Sequence, residues 1–189
     1  YCFANCRNLK EITIPDGVET INYQAFGDGV QYIFYNGTAD GSPWGARFVN
    51  PTIDGDFIYS DSTKTVLNLY LGSDSEVTIP NGVVEISERA FAEKSQLTSV
   101  VIPETVKTIG NNAFSSCDNL RNVQIPSSIL TMGYDLFSWS WNVTIVCDFA
   151  SKPDSWPWDW NGDGNVVWKK APLSITIYSS EYGTVTGYN

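Results

Sequence analysis

Three stretches of the chain, VTIPNGVVEISERAF, VVIPETVKTIGNNAF and VQIPSSILTMGYDLF, superpose at a fixed offset of 23 residues, which brings Ile79-Pro80, Ile102-Pro103 and Ile125-Pro126 into register. A fourth pair, Ile14-Pro15, heads the same pattern near the start. Self-similarity at this period is the signature of a solenoid, in which each unit buries its apolar side only against its neighbours. A chain so built cannot close a globular core from one unit; it has to stack turns.

One period supplies the plan of a turn. In VVIPETVKTIGNNAFSSCDNL the residues Val100, Ile102, Val106, Ile109, Ala113, Phe114 and Leu120 recur as apolar in the neighbouring copies and are assigned to the interior. Val100 to Ile102 reads as a short strand with Val101 facing out, ended by Pro103, which cannot donate to a ladder. Val106 to Ile109 reads as a second extended piece. Gly110 is read as a bend, and Asn111 to Cys117 as a short helical turn that carries Ala113 and Phe114 inward. The expected fold is a repeat solenoid of mainly short β-strands with short helical or 3-10 turns.

The period also runs through less regular sequence. Phe26 keeps its slot, and VQYIFYNG aligns with LRNVQIPS, so Ile33 and Tyr35 point inward and Tyr32 and Phe34 outward. An irregular segment follows over 36–75. Within it SPWGARFVNPTID is rich in turn residues, and Asp56 to Tyr59 reads as one arm of a hairpin against Thr65 to Leu71, turning at Asp61 to Lys64. Residues 138–170 hold six of the seven tryptophans and are read as an aromatic cap over the open apolar end of the last turn. The solenoid thus spans 1–170, and 171–189 reads as a linker with the start of a following β module. At the other end Tyr1-Cys2-Phe3 fits the Asn112-Ala113-Phe114 slot, so the chain is read as starting in mid-repeat.

Composition narrows the function classes. The net charge of −10 and the scattering of the 11 basic residues argue against nucleic acid or an anionic membrane as partner. No apolar run approaches the roughly 20 residues needed to span a bilayer, so no direct membrane insertion is expected. Histidine is absent, which removes Ser-His-Asp and Cys-His nucleophile systems and His-containing zinc sites. Cys6 and Cys117 share one slot about five turns apart, on the order of 24 Å at the strand spacing, far beyond the roughly 7 Å that a disulfide tolerates. Cys2 falls at the alanine slot and Cys147 on a strand, so small buried thiols are the expected state.

The units resemble the BspA-like leucine-rich repeats of bacterial surface proteins. Val101-Ile102-Pro103, Thr108-Ile109-Gly110 and Asn112-Ala113-Phe114 with Cys117 carry the resemblance, which covers residues 1 to about 170. Departures are Lys94 and Ser140 in place of the cysteine, Met132 for isoleucine and Leu136 for alanine. The resemblance implies an exported protein on a bacterial, host-associated surface, secreted or cell-attached, that binds host or bacterial surface proteins. It supplies no catalytic residue and no cofactor.

The expected recognition surface is the outer strand face, where residues of successive turns form ladders: Glu11 and Thr13, Tyr32 and Phe34, Glu76 and Thr78, Ser99 and Val101, then Asn122 and Gln124. Tyr32 and Phe34 stand out as an aromatic anchor. A structural spacer between modules is the alternative role. A carbohydrate-binding surface is another, built on Trp139, Trp141, Trp156, Trp158 and Trp160. The one metal hint is Asp159, Asn161 and Asp163 in an Asp-x-Asn-x-Asp-Gly run resembling the opening of a calcium loop, but position 12 is Lys170 where a carboxylate belongs. No metal is therefore expected there.

Overall fold

The computed structural model of the chain describes residues 3, 6, 8–26, 30–39 and 43–169. Cys2, Lys170 and the segment 171–189 read as a linker and further module lie outside the described residues. Fourteen short strands follow in order: β1 Glu11–Thr13, β2 Tyr32–Phe34, β3 Phe48–Val49, β4 Thr52–Asp54, β5 Phe57–Tyr59, β6 Val66–Tyr70, β7 Glu76–Thr78, β8 Glu85–Ile86, β9 Ser99–Val101, β10 Thr108–Ile109, β11 Asn122–Ile125, β12 Thr131–Met132, β13 Thr144–Cys147 and β14 Asn165–Trp168. They wind into a solenoid of about seven turns.

Each regular turn contributes to two sheets. The strands leading into Ile79-Pro80, Ile102-Pro103 and Ile125-Pro126 join a five-stranded parallel sheet in the order β14-β13-β11-β9-β7. The second short strand of each turn joins the parallel run β12-β10-β8-β6 of a second sheet. Strands stay this short because Pro80, Pro103 and Pro126 lack the N–H that would extend the ladder. All seven residues assigned to the interior of one turn are buried, and Val106, Ile109, Ala113, Phe114 and Leu120 are wholly inaccessible.

Phe91, Phe114 and Phe137 stack along the solenoid axis with centroids 5.2 and 5.4 Å apart. Tyr70 extends the column at 5.3 Å from Phe91. Stacked rings in a dry column add to the area term about 0.5–1.5 kcal/mol per pair.

The third side of each turn corrects one expectation. Among the described residues there is no helix, and Asn111 to Ser116 forms consecutive turns instead. Ser115 N donates to Asn112 O three residues back, but Phe114 N and Ser116 N reach forward to Leu136 O and Ser138 O of the next turn. One turn earlier Arg89, Phe91 and Glu93 donate in the same way to Asn111, Ala113 and Ser115. A helix would spend these N–H groups on its own carbonyls, whereas stacking spends them between turns. Two left-handed residues per turn aim the peptides: Arg89 and Glu93, Asn112 and Ser116, Asp135 and Trp139, all with φ between 53° and 64°.

Glycine's role also differs from a bend. Gly110 is not in the left-handed region; a Cβ on it would lie 2.4 Å from Glu88 N, and one on Gly133 2.4 Å from Asn111 N. Close approach of the preceding backbone excludes the side chain.

The period breaks where expected but with more strand than the sequence suggested. β1, β2 and β3 form a separate parallel sheet, with Ile12 beside Ile33 and Ile33 beside Val49. The expected hairpin pairs β5 antiparallel to β6. Its loop is held by Asp61 Oδ1, which accepts from Thr63 N at 2.8 Å, and by Lys64 at φ 55°. A further strand, β4, pairs antiparallel with β5 across Gly55-Asp56, with Gly55 at φ 56° in the first loop position.

Candidate functional site

The strand face expected to read a partner divides into two parts. Glu76, Thr78, Asn122 and Gln124 are exposed on the five-stranded sheet, Ser99 is half-buried, and Val101 keeps 54% of its surface accessible. Their inward neighbours Val77, Val100, Val123, Ile145 and Cys147 are all buried, so the alternation of a half-buried sheet holds from β7 to β13, while on β14 the inward Val166 and Trp168 are half-buried. Registers place Glu76 beside Ser99, Ser99 beside Asn122, Asn122 beside Thr144 and Thr144 beside Asn165. That column is polar. The second column runs Thr78, Val101, Gln124, Val146 and Val167, with Val167 45% accessible.

Sequence reasoning stopped this face at Gln124, although NVTIVC and NVVW carry the same alternation. Their signal was hidden among the tryptophans. At the far end Asp148 binds Lys169 and accepts from Gln124 Nε2 at 2.7 Å. Burial pushes the Asp148 carboxyl up, but the bonds from Lys169 and Gln124 outweigh it and hold the group below the usual range.

The other half of the expected face is corrected. Glu11 and Thr13 are exposed, but they belong to the separate β1-β2-β3 sheet and do not continue the five-stranded ladder. Tyr32 is only 6% accessible and Phe34 is half-buried. Tyr32 packs with Ile58 of β5 and Leu69 of β6, and Phe34, Phe48 and Leu71 close around them. The antiparallel segment therefore covers this sheet's outer side, and the aromatic pair is core. Tyr32 Oη donates to Glu11 Oε2 at 3.0 Å, and burial first, then Glu11, pushes its phenol pKa up.

The tryptophans also divide. Trp156 and Trp160 are each 2% accessible and pack with Phe149 and Trp168, closing the apolar end as a cap. Trp139 and Trp141 are each 64% accessible, with centroids 5.8 Å apart, and Trp158 is 85% accessible. The cap thus uses two of the five tryptophans proposed for a sugar platform, and three stand in solvent.

The calcium hint does not assemble. Asp163 Oδ2 accepts from Trp139 N at 2.7 Å, and Asn161 Nδ2 donates to Gly164 O at 2.9 Å, so both serve the loop itself. No group of three His, Cys, Asp or Glu side chains able to hold a metal ion forms among the described residues, and Asp159 does not join one. Cys6, Cys117 and Cys147 are free thiols. Burial pushes Cys117 up to about 11 and Cys147 up to about 12. No helix is long and apolar enough to cross a membrane among the described residues.

Two parallel sheets stacked turn on turn over a phenylalanine column define a leucine-rich repeat solenoid. The chain belongs to the family described as BspA type leucine rich repeat region, which matches six copies over residues 1–35 and 70–148. Among solved structures it is similar to a leucine-rich repeat protein from Eubacterium ventriosum, at 22% identity and a TM-score of 0.55, covering 73% of this chain and 42% of that one. It is also similar to a leucine rich cell surface protein from Faecalibacterium prausnitzii, at 17% identity and a TM-score of 0.46, covering 90% and 62%. A third is the pneumococcal vaccine antigen PcpA, at 15% identity and a TM-score of 0.49, covering 89% and 59%. The chain spans less than two thirds of the length of each. Comparison with curated proteins finds none that matches.

Proposed function

We propose that this chain is a non-enzymatic protein-binding or adhesion segment of a bacterial surface or secreted protein. The five-stranded parallel face carries the reading. Its inward residues are buried from β7 to β13 and half-buried on β14, while the outward columns bring exposed Val101 and Val167 and half-buried Val146 alongside Thr78 and Gln124. A regular, slightly apolar ladder flanked by polar residues suits the core-and-rim organisation of a protein interface. Repeat proteins present such extended surfaces to macromolecules rather than to small substrates. Placement at the cell surface, and host or bacterial surface proteins as partners, belong to this reading, and membership of the repeat family supports them. No role in this reading calls for a cofactor.

The test is binding of the purified chain to a panel of purified extracellular-matrix and bacterial surface proteins, compared with the double variant Val101→Arg, Val167→Arg. Binding that falls at least tenfold in the variant supports the face. Binding to none of the panel favours the spacer role.

A second reading has its own observation. Trp139, Trp141 and Trp158 are too exposed for a cap, and aromatic faces in solvent suit pyranose stacking. A glycan array probed with the chain and with Trp158→Ala addresses it.

A further inference from the structure

Where the 23-residue rule breaks, the β1-β2-β3 sheet and the following turns leave a groove of about 1090 Å³ between them. Four of the chain's 11 basic residues line it: Lys10, Arg47, Arg89 and Lys94. Two carboxylates, Glu88 and Glu93, are also present, so the walls carry a net +2 (four cations less two anions) in a chain whose total is −10. Arg89 is paired with Glu93 at 2.9 Å, while Lys10, Arg47 and Lys94 have no carboxylate partner among the described residues.

These cations crowd one another. Burial, then the charge of Arg89, lowers the Arg47 pKa, and burial, then the charge of Lys10, lowers that of Lys94. Glu88 and Glu93 offset part of the effect on Arg47, and Asp56 part of that on Lys94, but four cations against two wall carboxylates leave a local positive field whose natural complement is an anion.

Lys94 is the telling residue. It stands where the repeat has a buried cysteine, the position of Cys117, and is half-buried there with Nζ donating to Gly72 O at 3.0 Å and lying 5.3 Å from the centre of the Tyr70 ring. A half-buried ammonium in a slot that elsewhere holds a thiol is unfavourable for the solenoid itself. Arg47 reaches across the groove to Glu88 O at 3.2 Å and covers the Phe48 ring at 5.2 Å. Two guanidiniums offer planar forks for carboxylates.

We propose that this groove binds an acidic peptide segment of a partner protein, with Arg47 and Arg89 taking its carboxylates and Lys10 and Lys94 supplying the surrounding positive charge. Peptide fits better than a single-stranded nucleic acid, which uses open aromatic faces. The two rings here, Phe48 and Tyr70, are already covered by Arg47 and Lys94. Half-buried Phe48 and Leu71 add apolar contacts for intervening side chains. The groove lies apart from the five-stranded face, so it is a second site and does not rest on that face being used.

The probe is a fluorescent oligoglutamate peptide, read by anisotropy at low and high salt, with an oligoglutamine peptide of equal length and a sulfated polysaccharide as comparisons. The expected result is salt-sensitive binding of oligoglutamate alone, at least tenfold weaker in Arg47→Gln, Arg89→Gln and unchanged in Lys107→Gln. Lys10→Gln, at an exposed position, weakens it severalfold and keeps the test decisive if the double variant does not fold. Equal binding by wild type and the groove variants, equal binding of oligoglutamine, or binding of the polysaccharide without the peptide would each overturn the assignment. The variant Val101→Arg, Val167→Arg is expected to bind the peptide normally, which separates failure here from failure of the strand face.

Discussion

The backbone N–H of Cys117 donates to Ser140 Oγ at 3.0 Å. That hydroxyl in turn donates to Phe114 O at 3.0 Å, as the Cys117 thiol does to Phe91 O at 3.2 Å. Serine and cysteine therefore do one job in successive turns: each supplies a donor to a carbonyl that the column of phenylalanines keeps from water. The spacing is the same, 26 residues back in each case. Cys117→Ser is expected to be nearly neutral, while Cys117→Val leaves the Phe91 carbonyl without its donor and costs about 1–3 kcal/mol. Ser140→Ala removes a donor and an acceptor together and should cost at least as much. Urea unfolding of the three variants measures this, and a Cys117→Val protein as stable as wild type would refute the assigned role.

Burial of the thiols makes stability depend on alkaline pH. The folded Cys117 pKa, about 11, lies above the ordinary thiol value of 9.0, so above pH 9 the unfolded chain loses its proton while the folded chain keeps it. The unfolded state then binds fewer protons, and stability falls as pH rises, by up to about 1.4 kcal/mol per unit for each such thiol. The contribution is complete below pH 9 and lost on approach to pH 11. Melting temperatures between pH 8 and 11 should drop more steeply for wild type than for Cys117→Ser. Under native conditions Cys117 and Cys147, both wholly buried, should resist a thiol reagent at neutral pH until the protein is unfolded.

Gly110→Ala tests the close-approach account. The new Cβ would meet Glu88 N at 2.4 Å, and backbone cannot move aside as a side-chain tip can. The expected loss is about 1–3 kcal/mol, the range for overpacking. A Cβ at Gly17 would have nothing within 4 Å, so Gly17→Ala should be neutral or slightly stabilising through the unfolded chain. Calorimetric melting of both variants would expose an error if Gly110→Ala melted no lower than Gly17→Ala.

The regular turns were legible because the seven inward positions from Val100 to Leu120 repeat at 23 residues and stay apolar. Ile33 inward followed from the same rule, and the hairpin of β5 and β6 from its alternating arms around a turn-rich loop. What the period does not encode is which surfaces meet when it is interrupted. Tyr32 and Phe34 occupy outward slots, and only the fold of Ile58 and Leu69 over them makes them core. Strand β4 was hidden because Pro51 and Asp54-Gly55-Asp56 read as turn chemistry, though three residues of extended chain lie between the proline and Gly55. The helical turn at Asn111 to Cys117 fails for a different reason. Asn, Ser and Asp tolerate left-handed backbone, and a sequence cannot say whether their peptides serve their own turn or the next. The groove lining came from residues as distant as Lys10 and Lys94, joined by no motif.

The tryptophans allow the cap and the solvent-facing group to be told apart in one experiment. Trp156→Ala removes a ring that is 2% accessible and in contact with Phe149 and Trp160, so it should cost about 3–5 kcal/mol, as for large aromatic truncations in cores. Trp158→Ala removes a ring that is 85% accessible and should change stability by less than about 0.5 kcal/mol. Acrylamide quenching should fall chiefly on Trp139, Trp141 and Trp158, and Trp158→Ala should reduce the quenchable fraction while Trp156→Ala should raise it slightly in the folded protein. If Trp158→Ala instead destabilised as strongly as Trp156→Ala, the exposed ring would be structural, and the stacking reading of this surface would lose its basis.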